Sequence, residues 1–138
     1  MEYNFLGFSA ATAGMLVEAI ISTDADPVTI QILRNRAVTT DIEFVVPGVK
    51  VSMSPVGSEL PAKLGRCVLS VYRPGTKKIV YEHFNDEICA LSFLSIIHQD
   101  ASLASSAIVG SGAFINPHVT LAPYCKLEDF VTVNRNAS

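Results

Sequence analysis

His83, His98 and His118 carry the side chains whose proton comes and goes near neutral pH, so each is a candidate general base. Cys67, Cys89 and Cys125 could act as nucleophiles only beside a base, or as metal ligands only in clusters. They are odd in number and show no CxxC spacing, so neither a disulfide framework nor a zinc ribbon is expected, and a reducing cytoplasm fits best. Asp100, Glu128 and Asp129 show no pairing suggestive of a two-carboxylate site. Lys77-Lys78 is the densest basic cluster and could meet a phosphate, although a solvated helix face is the default reading of such a pair.

These groups must be held by a chain of 138 residues, 49% hydrophobic and 17% charged, with a formal charge of −3. Such a chain buries enough apolar surface to fold, and it lacks the positive field that phosphate-backbone binding needs, so nucleic acid is not expected as a partner. The most apolar stretch, Phe5 to Ile21, contains Glu18, is broken by Gly7 and Gly14, and follows no Lys or Arg. It is neither a signal peptide nor a membrane span.

Tyr3 to Gly7 reads as a short buried strand, and Met15, Leu16, Ala19 and Ile20 follow at helical spacing. Asp24, Asp26 and Pro27 break the pattern before the β-branched run Val28 to Leu33, completing a β-α-β unit. Residues 37 to 65 are crossed by Pro and Gly, with Val49 to Met53 alternating like a strand. Cys67 to Tyr72 reads as a third buried strand, and Pro74-Gly75 opens a helix reaching Phe84. Strands alternating with helices predict an α/β unit with a parallel sheet.

From Ile97 the period changes to six. The segments IHQDAS, LASSAI, VGSGAF, INPHVT, LAPYCK, LEDFVT and VNRNAS run without a gap to Ser138. The first place is always aliphatic (Ile97, Leu103, Val109, Ile115, Leu121, Leu127, Val133) and the fifth always small. At about 100° per residue a six-residue period drifts around a helix, so a helix cannot keep both columns on one face. A parallel β-helix can: each six makes one flat side, the aliphatic residue points inward, and three sixes close a triangular turn. Periodicity does not give the handedness, and the general crossover rule favours right.

The sixes, the amino-terminal β-α-β unit opening with Gly7-Phe8-Ser9-Ala10, and the Phe93-to-Ala101 lead-in together resemble the hexapeptide-repeat acyltransferases. Within them they resemble the sialic acid O-acetyltransferase and nucleotide-sugar N-acetyltransferase family. The resemblance implies a small Rossmann-like nucleotide-sugar domain over 1–92. It implies the first two or so turns of a left-handed parallel β-helix over 93–138, acetyl-CoA as co-substrate, a nucleotide-sugar or sugar acceptor, and a homotrimer in the full-length protein. It places the acceptor nucleotide at Gly7, Ser9, Thr12 and Asn35, and the acetyl-CoA vicinity near His118 and Asn134. Its general base is a histidine shortly after the stretch matching Val131 to Ser138, so no catalytic residue and no metal ligand is assigned within this chain. Ser138 closes a six but leaves a turn unfinished, which predicts a fragment of a longer coil.

The turn after the first strand departs from the family in having Phe8 and alanines where glycines are usual, and Arg34-Asn35-Arg36 stands where acidic residues are usual. The alternative is therefore a non-catalytic, self-associating scaffold with a degenerate nucleotide site. His118, fourth in its six, is expected on a surface turn. His98 is expected to make an interdomain hydrogen bond, His83 to favour a helix carboxyl end, and Cys125 to fill the coil interior.

Overall fold

The computed structural model describes residues 1–24, 26–33, 45–54, 60–88 and 90–134. Its first half is organised by β1 (Glu2–Leu6), which is buried from Tyr3 onward. α1 (Ala10–Thr23), β2 (Thr29–Leu33), β3 (Lys50–Ser54), β4 (Lys63–Leu69), α2 (Pro74–Glu87) and β5 (Ala90–Phe93) follow. The strands form one parallel sheet in the order β3-β2-β1-β4-β5. The chain moves outward on one side of β1 and returns at β4 on the other. Their carboxyl ends therefore flank a topological switch point, the place where open α/β sheets form crevices.

A parallel sheet needs cover on both faces, and strand alternation supplies it. Tyr3, Phe5, Ile30, Ile32 and Val68 meet Leu16, Val17 and Ile20 of α1. Leu6, Leu33, Cys67 and Leu69 face the other way, onto Val80 and Phe84 of α2. Gly7 ends β1 with a φ of +75°, and a Cβ there would stand 3.1 Å from Val80 and 3.2 Å from Val71. Only glycine fits both the backbone and the space.

Two expectations change. The strand expected over Cys67 to Tyr72 begins and ends earlier, as β4, because a register shift between Leu64 and Cys67 lets Gly65 and Arg66 break the apolar pattern without ending the pairing. The edge strand β5 was not anticipated. His83 does not cap α2: its ring stands edge-on to Phe84, at 4.9 Å, and the last turn holds no basic residue.

The second half consists of β6 (Ile96–Ile97), β7 (Ser102–Leu103), β8 (Ile108–Val109), β9 (Phe114–Ile115), β10 (Thr120–Leu121), β11 (Lys126–Leu127) and β12 (Thr132–Val133). Each two-residue strand pairs in parallel with a strand one turn of the coil away, as Ile97 with Ile115 and Ile115 with Val133. The pairs make three separate small sheets, the three sides of the coil. Ile115, Val119 and Leu121 are buried inside it, with Ile97, Leu103, Val109, Cys125, Leu127 and Val133 packed against them. The aliphatic column does point inward.

Corners fall on the fourth residue of the later sixes: Gly112, His118, Tyr124 and Phe130 all have φ between +61° and +69°. A Cβ on Gly112 would collide with the Phe130 ring one turn along, at 2.5 Å. Replacing Gly112 with Ala should therefore cost about 2–4 kcal/mol, from backbone strain plus overpacking, in a denaturant titration. Gly14→Ala should stabilise by up to about 1 kcal/mol, because its Cβ meets nothing within 4 Å inside α1.

The Cys67 thiol is fully buried, and that burial pushes its pKa from 9.0 to about 11. A raised folded-state pKa means stability present below pH 9 and lost between pH 9 and 11, on the order of 2 kcal/mol. Chemical unfolding across that interval should show the loss in the native chain and a flatter profile in Cys67→Ala.

Candidate functional site

Just past β4 the chain turns through Ser70, Val71 and Tyr72, and Pro74 starts α2 at a position where its missing N–H costs nothing. Helical spacing then brings Pro74, Lys77, Lys78 and Tyr81 to neighbouring positions on one side of α2. Opposite them stands the last described corner of the coil, Asp129 to Thr132. Between the two lies a cleft of about 560 Å³, floored by Leu69 and edged by Tyr72.

Three features shape this cleft. Phe130, turned outward by its left-handed corner, lies 5.4 Å from the Tyr81 ring and 5.0 Å from Phe93, so an aromatic cluster forms its back wall. Lys77 reaches across from α2 and donates to the Phe130 carbonyl at 2.8 Å and the Thr132 hydroxyl at 2.7 Å. Desolvation lowers the pKa of its ammonium, since both acceptors are neutral. At the rim the Tyr72 hydroxyl stands 3.4 Å from the Asn134 amide. The Asp129 carboxylate accepts from the Ser111 N–H at 2.8 Å, which ties it to the turn of coil beside it. Lys78 is exposed.

The expectation that Lys77 lies on a solvated face is therefore corrected. Sequence alone could not see that a coil corner packs over this turn of the helix.

A second set of contacts joins the halves through α1. His98 Nδ1 accepts from the Asp100 N–H at 3.0 Å, its Nε2 is 4.0 Å from a Glu18 carboxylate oxygen, and the Gln99 N–H donates to Ser22 Oγ at 3.1 Å. The interdomain hydrogen bond expected of His98 is made instead by its neighbour Gln99, while the His98 ring bonds within its own half and only approaches Glu18. In the next turn the buried Asn116 donates through Nδ2 to the Val133 carbonyl at 3.0 Å, and its Oδ1 has no hydrogen-bond partner among the described residues.

The residues singled out from the sequence are distributed as follows. Gly7 is buried against Val71 and Val80, and its N–H donates to the Leu33 carbonyl at 2.8 Å. Ser9 occupies the N-cap of α1 without a side-chain cap, and its N–H donates to the Ser70 carbonyl at 3.0 Å. Thr12 is buried in the first turn of α1. These three gather at the switch point, beside Ser70, whose buried Oγ has no partner among the described residues. Asn35 lies outside the described residues. Asn134 lies at the rim of the cleft, whereas His118 is an exposed corner whose N–H donates to Asp100 one turn back. It is one flat side of the coil away from Phe130. Among the described residues no group of three His, Cys, Asp or Glu could hold a metal ion.

Tyr72, Tyr81, Phe130 and Thr132 were not singled out beforehand. A signal existed for Phe130, an aromatic residue at a corner place with a glycine eighteen residues before it.

Several solved structures share this fold. A His-to-Asn variant of perosamine N-acetyltransferase from Caulobacter crescentus, in complex with CoA and GDP-perosamine, matches with a TM-score of 0.64 and 16% identity, over 98% of this chain and 60% of its own. The acetyltransferase domain of PglB from Neisseria gonorrhoeae matches with a TM-score of 0.69 and 18% identity, over 98% and 62%. The same domain in complex with acetyl coenzyme A gives 0.64 and 18%, over 99% and 63%. The fold is a Rossmann-like unit joined to a left-handed parallel β-helix. No protein-family model and no curated protein sequence matches the chain. The chain spans about three fifths of the length of these neighbours. Among the described residues no helix is long and apolar enough to cross a membrane.

Thr132→Val keeps the shape of the cleft wall and removes one of the two acceptors of Lys77. Thermal unfolding should show a loss of about 1 kcal/mol, the worth of one hydrogen bond to a charged donor less the gain from the added methyl.

Proposed function

We propose that this chain forms the acceptor-binding portion of an acetyl-CoA-dependent acetyltransferase acting on a nucleotide-linked amino sugar. The observation that carries the reading is the cleft between α2 and the coil, lined by Tyr72, Tyr81 and Phe130 and bordered by Lys77 and Lys78. Aromatic faces and apolar walls suit the flat base or the ring faces of a sugar, and ammonium groups at the border suit the charge of a diphosphate. Support comes also from two of the matching structures, the perosamine N-acetyltransferase variant in complex with CoA and GDP-perosamine and the PglB domain in complex with acetyl coenzyme A.

In this reading the two halves divide the labour. The turn from Gly7 to Thr12 lies at one end of the acceptor, with the uncapped N–H groups of the first turn of α1 as its donors. The cleft beside it takes the part nearer the coil. Asn134, at the rim beside Tyr72, is placed to hydrogen-bond a sugar hydroxyl or amine as it passes toward the coil surface. Acetyl-CoA lies along the coil in this reading, assembly as a trimer brings a second coil against it, and the deprotonating group comes from outside the residues named here. The amine must lose a proton as it attacks the thioester, and the cleft contributes by holding it in one orientation.

Titrating the chain with UDP- and GDP-linked amino sugars, followed by NMR of the backbone amides, tests the reading. Shifts confined to the residue 7–12 turn, Tyr72, Lys78 and Thr132 are expected. Perturbation of none of these by any nucleotide-sugar would overturn it. Lys78→Glu should weaken binding about tenfold, near 1.4 kcal/mol, through loss of one phosphate-facing charge and its reversal in sign.

A further inference from the structure

We propose that Lys77 is an acylation site, an amine posed by the coil to attack small activated acyl groups that enter the cleft. The inference starts from stereochemistry. A lysine nitrogen has four tetrahedral positions, and in Lys77 one is Cε while two are directed to the Phe130 carbonyl and the Thr132 hydroxyl. Lys77 itself lines the cleft, and in this proposal the remaining position is directed into it. Loss of the proton held there leaves both hydrogen bonds to the coil intact and aims the lone pair into the cavity. A lysine on a free surface has no such fixed arrangement and spreads its lone pair over many rotamers.

The surroundings do not oppose the neutral form. The charged or titratable groups that line the cleft with Lys77 are Lys78 and Tyr81 on α2, Tyr72 before it and Asp129 on the coil, and Arg73 stands one helical turn before Lys77. The Asp129 carboxylate is engaged with the Ser111 N–H, and the recorded acceptors of the ammonium are both uncharged. Desolvation shifts the same group toward the free amine. The apolar wall of Leu69, Val131 and Phe130 suits a short acyl chain.

The step balances with an acyl thioester as co-reactant. The Lys77 nitrogen attacks the carbonyl carbon of acetyl-CoA, the N–C bond forms, the C–S bond breaks, and CoA leaves as the thiolate and takes up the proton released by nitrogen. The amide that results has a single N–H, so one of the two bonds to the coil is lost, and the acetyl group fills the part of the cavity beside Tyr81. Filling that part of the cavity would displace an acceptor only if the function proposed above holds, whereas the modification itself rests only on the cleft.

The test uses the chain as it is. It is incubated at pH 8 with acetyl-CoA and, in a parallel arm, with acetyl phosphate, which needs no CoA site, and the acetylation of each lysine is followed by peptide mass spectrometry. Lys77 should be modified at least about fivefold faster than the exposed Lys50, Lys63, Lys78 and Lys126, because its amine is posed and partly desolvated. A rate at Lys77 equal to or below that of Lys78 in both arms overturns the proposal. Selective modification by acetyl phosphate alone would sustain it while counting against an acetyl-CoA site. Thr132→Val supplies the second measurement: it should slow Lys77 and leave Lys78 unchanged. Acylation of Lys77 that is indifferent to losing that acceptor would sink the posing argument.

Discussion

The whole second half is governed by the requirement that each turn of coil lie on the one before it in register, residue on residue eighteen apart. Two-residue strands have almost no hydrogen-bonding energy of their own, so the stack holds because each inward aliphatic side chain buries the one below it. Once Ile97, Ile115 and Val133 are stacked, their neighbours have no choice of place. Phe130 must lie over Gly112, and Asn134 must follow the Val133 carbonyl that Asn116 grips. The cleft wall is thus a by-product of core packing. Its aromatic ring projects outward because the corner backbone is left-handed and the residue one turn away has no side chain to obstruct it.

The sheet imposes a complementary constraint. Its order reverses between β1 and β4, so the turns leaving those strands diverge to opposite faces, one starting α1 and the other α2. The coil meets both helices, α1 through His98 and Gln99 and α2 through Lys77. Two separated attachments hold a body against rotation better than one. The cleft can therefore keep its width although it lies between two differently built halves. Lys77 is partly desolvated for this, a cost offset by its two hydrogen bonds to the coil.

How far the sequence discloses this molecule follows from which residues carry redundant signals. The coil was legible because each turn repeats the same two demands, an aliphatic residue and a small one, and any column that failed would leave a hole. The β-α-β unit was legible from β1 to β2 for a similar reason, with apolar runs punctuated by Asp24 and Pro27. β4 was displaced because Gly65 and Arg66 mimic a turn while the strand carries on pairing through a bulge. The cleft as a site could not be read, although Lys77, Lys78 and Phe130 each carried a local signal. Tyr72, Lys77 and Phe130 are far apart in sequence and belong to different periodicities, and their meeting depends on how the halves dock, which no local pattern encodes. Asn134 was named by resemblance alone, and its contact with Tyr72 is visible only in the geometry.

The two candidate recognition points are not equivalent in what they can offer an anion. At the turn after β1, Gly7 and Ser9 have already spent their N–H groups on the Leu33 and Ser70 carbonyls, and Val71 and Val80 close against the glycine. What remains is the first turn of α1 beyond Ser9, whose N–H groups lack a side-chain cap, and the unpartnered hydroxyl of Ser70 behind it. That is a weak, neutral donor set suited to a group that needs orientation more than charge neutralisation. The α2 side is different, since Lys78 is exposed and Lys77 brings a second positive charge to the same border. A long anionic ligand that satisfied both would lie across the switch point with its charge toward α2 and its neutral end against α1. Charge alone would therefore order such a ligand before any more specific contact was made.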